Sequence, residues 1–361
     1  MRRLAIDPAQ AALEVAEFGQ RMAQAAAGLS GIELHPDGCT PRDEVQRSGK
    51  TVLWRYRAAA RAARAAPLLI CYALVNRPTM MDLQPDRSLV RGLLARSLDV
   101  WLVDWGYPDA GDGDRALADY ADADLGRCIE RVRRETGGAV NLLGVCQGGT
   151  LSLCHAALHP DRVANLITMV TPVDFHTPDN LLSKWVRQVD IERMVEVLGN
   201  VPGALLNATF QALMPFRLTV HKYAGLADIA GDREALANFL RMERWIHDSP
   251  DQAGRAFAEF VRWFFQENRL LRGRLELGGR TVDLRQIRCP ILNVYARRDH
   301  LVPPAASRAL AGLTGSRDYS EYEFDGGHIG IYVSQRAQEL LPRTIAQWLQ
   351  ARPATGGPAI G

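Results

Sequence analysis

Short apolar runs separated by longer amphipathic stretches set the rhythm of this chain. Pro67-Leu68-Leu69-Ile70-Cys71-Tyr72-Ala73-Leu74 is one continuous run, and Asp99-Val100-Trp101-Leu102-Val103-Asp104-Trp105 is another. Unbroken apolarity of this length is expected of a central parallel strand, covered on both faces. Ala139-Val140-Asn141-Leu142-Leu143 and Asn165-Leu166-Ile167-Thr168-Met169-Val170 read the same way. Thr51-Val52-Leu53-Trp54-Arg55-Tyr56 alternates instead, like a half-buried strand. Helical stretches are predicted around residues 86–96 and 114–134, and Gly149 to Ala157 reads as a helix of small residues. Strands alternating with helices imply a mostly parallel sheet covered on both faces.

The rhythm changes from about Asp174 to Leu284, where the pattern is mostly helical and carries Trp185, Trp245 and Trp263. It resumes at Pro290-Ile291-Leu292-Asn293-Val294-Tyr295 and at Tyr319-Ser320-Glu321-Tyr322-Glu323-Phe324, followed by a closing helix over roughly 334–350. The middle segment therefore reads as a helical cap, residues 174–284, inserted into an α/β core of residues 51–173 and 285–352. Residues 1–50 form an N-terminal helical extension, with Leu13, Val15, Phe18 and Met22 at helical spacing in a peripheral helix. The Pro/Gly/Ala-rich tail, 353–361, is expected to be loose.

Bulk properties narrow the function. At 361 residues the chain holds one large α/β domain with an insertion, or two domains. A formal charge of +2 does not mark a general nucleic-acid binder. Six cysteines without a CxxC pair argue against a zinc site or a disulfide scaffold. The start lacks an apolar signal core, and no apolar run is long enough for a transmembrane segment, so a cytoplasmic setting is expected.

The chemistry centres on Gly144-Val145-Cys146-Gln147-Gly148, a Gly-x-nucleophile-x-Gly turn between predicted strand and helix. Cysteine stands where most such elbows carry serine. An acyl-transfer cysteine needs a base, and the base needs an orienting group. Asp299 follows one resumed strand, and His328, in Gly326-Gly327-His328-Ile329-Gly330, follows the last. The order Cys146, Asp299, His328 is the nucleophile–acid–histidine order of the α/β-hydrolase fold. His300 competes with His328 but precedes the final strand; His155, His159 and Cys154 read as structural. The backbone N–H groups of Gln147 and Val75 are the expected oxyanion donors. In the Val75 loop, Asn76 reads as a side-chain brace and Arg77 as a surface arginine.

These stretches resemble the polyhydroxyalkanoate synthases. The resemblance rests on the Gly-Val-Cys-Gln-Gly-Gly elbow, Tyr72–Pro78, Asp82–Ser88, Asp104–Pro108, Thr171–Phe175, Asp299–Pro303 and Gly326–His328, and runs from about residue 50 to 350. It implies an acyltransferase that polymerises (R)-3-hydroxyacyl-CoA and releases CoA. Cys146 would be the acyl acceptor, His328 its base and Asp299 the third catalytic residue. Coenzyme A enters as substrate, and no cofactor or metal is implied. The short N-terminal region resembles the class III catalytic subunit, with the class IV form the nearest alternative. Class III implies a second, non-catalytic subunit, a homodimer of the catalytic chain and association with polyester granules. A thioesterase or polyester depolymerase using the same triad is the other reading.

Overall fold

The computed structural model describes residues 7–30, 32, 38–58 and 66–353. Contacts divide the chain into two compact units, one of residues 1–37 and 206–248, the other of residues 38–205 and 249–361. The segment read as one cap is thus divided, with 174–205 and 249–284 grouped with the sheet.

The larger unit is built on an eight-stranded sheet. Its strands are β1 (Arg42–Ser48), β2 (Thr51–Tyr56), β3 (Ala66–Cys71), β4 (Leu98–Asp104), β5 (Val140–Val145), β6 (Val163–Met169), β7 (Ile291–Ala296) and β8 (Tyr319–Phe324). Their spatial order is β1-β2-β4-β3-β5-β6-β7-β8. The first two pairings are antiparallel and the rest are parallel. Every residue of β5 and β7 is buried, which is why these strands show no polar alternation. β1 was not evident from sequence. It is polar, Arg-Asp-Glu-Val-Gln-Arg-Ser, and a bulge between Glu44 and Gln46 breaks its period.

Helices α2 (Leu89–Leu94), α3 (Leu125–Thr136) and α4 (Gln147–Leu158), following α1 (Pro8–Leu29) of the smaller unit, occupy the crossovers. The buried sheet interior is not wholly apolar. Asn165 donates to Asn141 at 2.8 Å and Thr168 to Asn293 at 2.9 Å, so polar side chains bridge β5–β6 and β6–β7. Each link has one angular solution, which favours a single register.

The smaller unit packs α1 against the helix Arg233–His247 around Ala25, Leu226, Ala230 and Leu236. Leu13, Val15 and Phe18 are exposed, so three of the four periodic apolar positions of α1 face away from that core. Among the described residues no helix is long and apolar enough to cross a membrane.

The loop after β3 leads to the site, and Asp82 anchors its far end. Asp82 is fully buried and accepts hydrogen bonds from Thr40 N at 2.8 Å, Thr40 Oγ1 at 2.7 Å, Cys39 N at 3.1 Å and Ser88 Oγ at 2.6 Å. Replacing it strands several buried donors together. Asp82→Ala is expected to lower unfolding stability by about 2–4 kcal/mol, and Asp82→Asn by less, because it keeps one acceptor. Urea unfolding at constant pH measures both; equal midpoints for the Ala variant and the parent would contradict the anchoring role.

Candidate active site

Three backbone features converge at the C-terminal ends of β3, β5, β7 and β8. The first is the turn from β5 into α4. Cys146 sits there with φ 53° and ψ −123°, a conformation that costs a non-glycine residue about 1–3 kcal/mol. The turn persists because its neighbours leave no alternative. A Cβ on Gly148 would collide with the carbonyl oxygens of Cys71 and Tyr72, and one on Gly149 with the Thr171 side chain. Both glycines are therefore required by close approach.

The second feature is the loop that leaves β3 at Cys71. Leu74 is held at both ends: its N–H donates to the Gln147 side-chain oxygen at 3.0 Å, and its carbonyl accepts from the Gln252 amide at 3.0 Å. Gln252 is itself fixed by a two-bond bridge to Val201. The next N–H, that of Val75, donates to no protein acceptor among the described residues. The N–H of Gln147 begins α4 and has no acceptor within the helix. Both N–H groups are therefore without a protein acceptor among the described residues, as an oxyanion donor must be. Asn76 holds the loop differently from the sequence reading. Its backbone is left-handed, φ 61°, and its side-chain oxygen is buried without a partner. Arg77 departs further: it is buried, 2.8 Å from Asp104, with its guanidinium 4.4 Å from the centre of the Tyr107 ring.

The third feature is the pair of loops after β7 and β8. One carboxylate oxygen of Asp299 accepts from Leu301 N and Val302 N, each at 2.9 Å. The other lies 2.7 Å from His328 Nδ1. A carboxylate only accepts, so Nδ1 carries the proton and Nε2 is left for the nucleophile. The Cys146 thiol is within hydrogen-bond reach of that ring. Asp299 and His328 are both buried. Burial by itself would push the His328 pKa down, but the charges of Asp299 and Cys146 and the bonds to both outweigh it and raise it to about 10. The structure thus brings together Cys146, Asp299 and His328, with Gln147 next to the nucleophile at the start of α4.

The other residues singled out lie elsewhere. Cys154 is fully buried, and burial pushes its pKa up, as expected for an unreactive thiol. His159 pairs with Asp122 at 2.6 Å, and Arg280 takes the other Asp122 oxygen at 2.6 Å. His155 packs on His159, and burial lowers its pKa to about 4. Tyr72, Gln252 and Tyr332 approach the site without any sequence signal that sets them apart. A small cleft beside Gln147 is lined by Leu74, Trp105, Tyr120, Gln252 and Phe257. Its walls are mainly apolar.

The His328 interactions carry a pH signature. Its folded-state pKa lies above the ordinary 6.5, so its contribution to stability is fully present below pH 6.5 and is lost as pH rises through about 10. The stability difference between the parent and His328→Gln is therefore expected to narrow from pH 6.5 to pH 10. Denaturant titrations at four pH values give the slope; a gap that widens with pH would contradict the assignment.

Residues 66–335 match the model of the alpha/beta hydrolase fold. The chain is 51% identical to the poly(3-hydroxyalkanoate) polymerase subunit PhaC of Allochromatium vinosum, over 96% of this chain and 99% of that one. It is 48% identical to the protein of the same name from Thiocystis violacea, over 98% and 100% of the two chains. With the protein of that name from Synechocystis it shares 47%, over 90% of each. Among solved structures it is similar to the metagenome-derived lipolytic enzymes LipS and LipT, with TM-score 0.51 and 13% identity over 88% of this chain and 100% of that one. The monoacylglycerol lipase of Paleococcus ferrophilus gives TM-score 0.50 at 16% identity, over 83% and 99%. At those identities the two structures bear on the fold alone.

Proposed function

The chain belongs to the poly(3-hydroxyalkanoate) polymerase family on the alpha/beta hydrolase fold, and on that footing we propose that it polymerises (R)-3-hydroxyacyl-CoA through an acyl-enzyme on Cys146. The observation that carries the chemistry is the line Asp299–His328–Cys146 at a strained elbow.

His328 Nε2 has already taken the thiol proton before substrate binds, as a pKa raised to about 10 favours, and the thiolate attacks the thioester carbonyl. Charge develops on that oxygen, and the Val75 and Gln147 N–H groups receive it. The carbon–sulfur bond to CoA breaks, and the imidazolium returns its proton to the departing thiolate. The acyl unit is now a thioester of Cys146, no lower in energy than the one consumed. The hydroxyl of a second 3-hydroxyacyl unit then attacks this thioester and loses its proton to His328. An ester forms, and Cys146 leaves as the thiolate beside the imidazolium. Asp299 keeps the proton of the neutral ring on Nδ1 throughout and stabilises the cation.

Beyond the reaction, the match over nearly the full length of the Allochromatium and Thiocystis proteins supports a class III arrangement with a second, non-catalytic chain. A homodimer of the catalytic chain and a place on the granule surface in the cytoplasm complete the proposal. Short 3-hydroxyacyl units, 3-hydroxybutyryl first, are the substrates that the class III reading implies.

The test follows free CoA and polymer together from (R)-3-hydroxybutyryl-CoA, with and without the second subunit. Cys146→Ala is expected to abolish CoA release and protein-bound acyl label while Cys154→Ala retains most activity. Free hydroxy acid in place of polymer would identify a hydrolase and overturn the proposal.

Asp299→Asn separates the two halves of the cycle. Asparagine can still accept from Leu301 and Val302, but it then turns its amide hydrogens toward His328 Nδ1. That favours the tautomer with the proton on Nε2, which cannot act as a base. A thiol is partly ionised without help, whereas an alcohol is not. The variant is therefore expected to keep a near-stoichiometric burst of CoA while steady-state polymer formation falls about 100-fold or more. Equal slowing of both phases would contradict this division of roles.

A further inference from the structure

Tyr332 lies in the short helix Gly330–Val333 that follows His328. Its ring meets the His328 imidazole edge-on, with centroids 5.9 Å apart and planes at 88°, and the Tyr72 ring at 6.4 Å and 64°. Only 1% of Tyr332 is exposed, yet its hydroxyl has no hydrogen-bond partner in the protein. Buried phenol groups nearly always find one. Phenylalanine would fill the same space without leaving a polar atom unpaired. Burial, reinforced by Tyr72, Cys146 and Asp299, pushes the Tyr332 pKa well above the ordinary phenol value. The group is therefore a neutral hydroxyl, in electrostatic reach of both the nucleophile and the acid.

An unpaired donor held beside a triad calls for a partner that arrives with the substrate. The polar groups of the incoming acyl thioester are few. Its carbonyl oxygen is served by Val75 and Gln147, and its sulfur receives a proton from His328. The hydroxyl on the third carbon remains. We propose that the Tyr332 hydroxyl is a specificity-determining group that hydrogen-bonds the 3-hydroxyl of the acyl unit loaded onto Cys146, so that thioesters lacking that hydroxyl are rejected. This rests on the polymerase reading above. A site with a buried polar group discriminates strongly against an analogue that leaves the group unpaired.

The experiment is single-turnover release of CoA from (R)-3-hydroxybutyryl-CoA and from butyryl-CoA, by the parent and by Tyr332→Phe. The parent is expected to favour the hydroxylated thioester, and the variant to lose about 10- to 100-fold of that preference. Its thermal midpoint is expected to be unchanged or higher, because no protein hydrogen bond is lost. Loss of rate on both thioesters in equal measure would assign Tyr332 to holding His328 and overturn the proposal. So would an unchanged preference, or a parent that does not discriminate. Failure of the parent to release CoA from either thioester would instead refute the polymerase reading.

Discussion

One contact between backbones governs the site: the start of α4 rests on the carbonyls of Cys71 and Tyr72 at the end of β3. Gly148 has no side chain because there is no room for one. That approach brings the nucleophile turn beside the loop that follows β3. The Gln147 side chain can then reach Leu74 in that loop. A methyl group at position 148 would meet both carbonyl oxygens and push the nucleophile turn away from that loop. The strain at Cys146 belongs to the same constraint, since a relaxed turn would lift α4 off β3.

Asp299 shows a second economy. One carboxylate oxygen closes the turn at Leu301 and Val302, and the other orients His328. The turn and the triad therefore share one group. Burial keeps the imidazole dry, and the neighbouring charges set its basicity. The balance differs from that of an exposed histidine because the charges act where water does not screen them.

Much of this was legible in the sequence. Six of the eight strands announce themselves as apolar or alternating runs, and a seventh, Tyr319–Phe324, by its place before the Gly-flanked His328. Cys146, Asp299 and His328 stood out because each directly follows a strand. β1 did not, because its polar composition and bulge erase the period. Arg77 read as a surface residue since nothing local reveals Asp104 and Tyr107 closing over it. Asn76 invited a side-chain role, whereas its contribution is a left-handed backbone. Gln252 and Tyr332 matter only through contacts made across the fold, which no spacing rule encodes. The division of residues 174–284 between two units was equally hidden, since helical periodicity shows that a face is buried but not against which neighbour.

The double hold on Leu74 couples two segments far apart in sequence. Its amide answers to the helix that bears the nucleophile, and its carbonyl answers to Gln252 in a segment that also lines the cleft. The loop is thus tied from two directions through one peptide unit, so the start of α4 and the Gln252 segment cannot shift independently without breaking one of the two bonds.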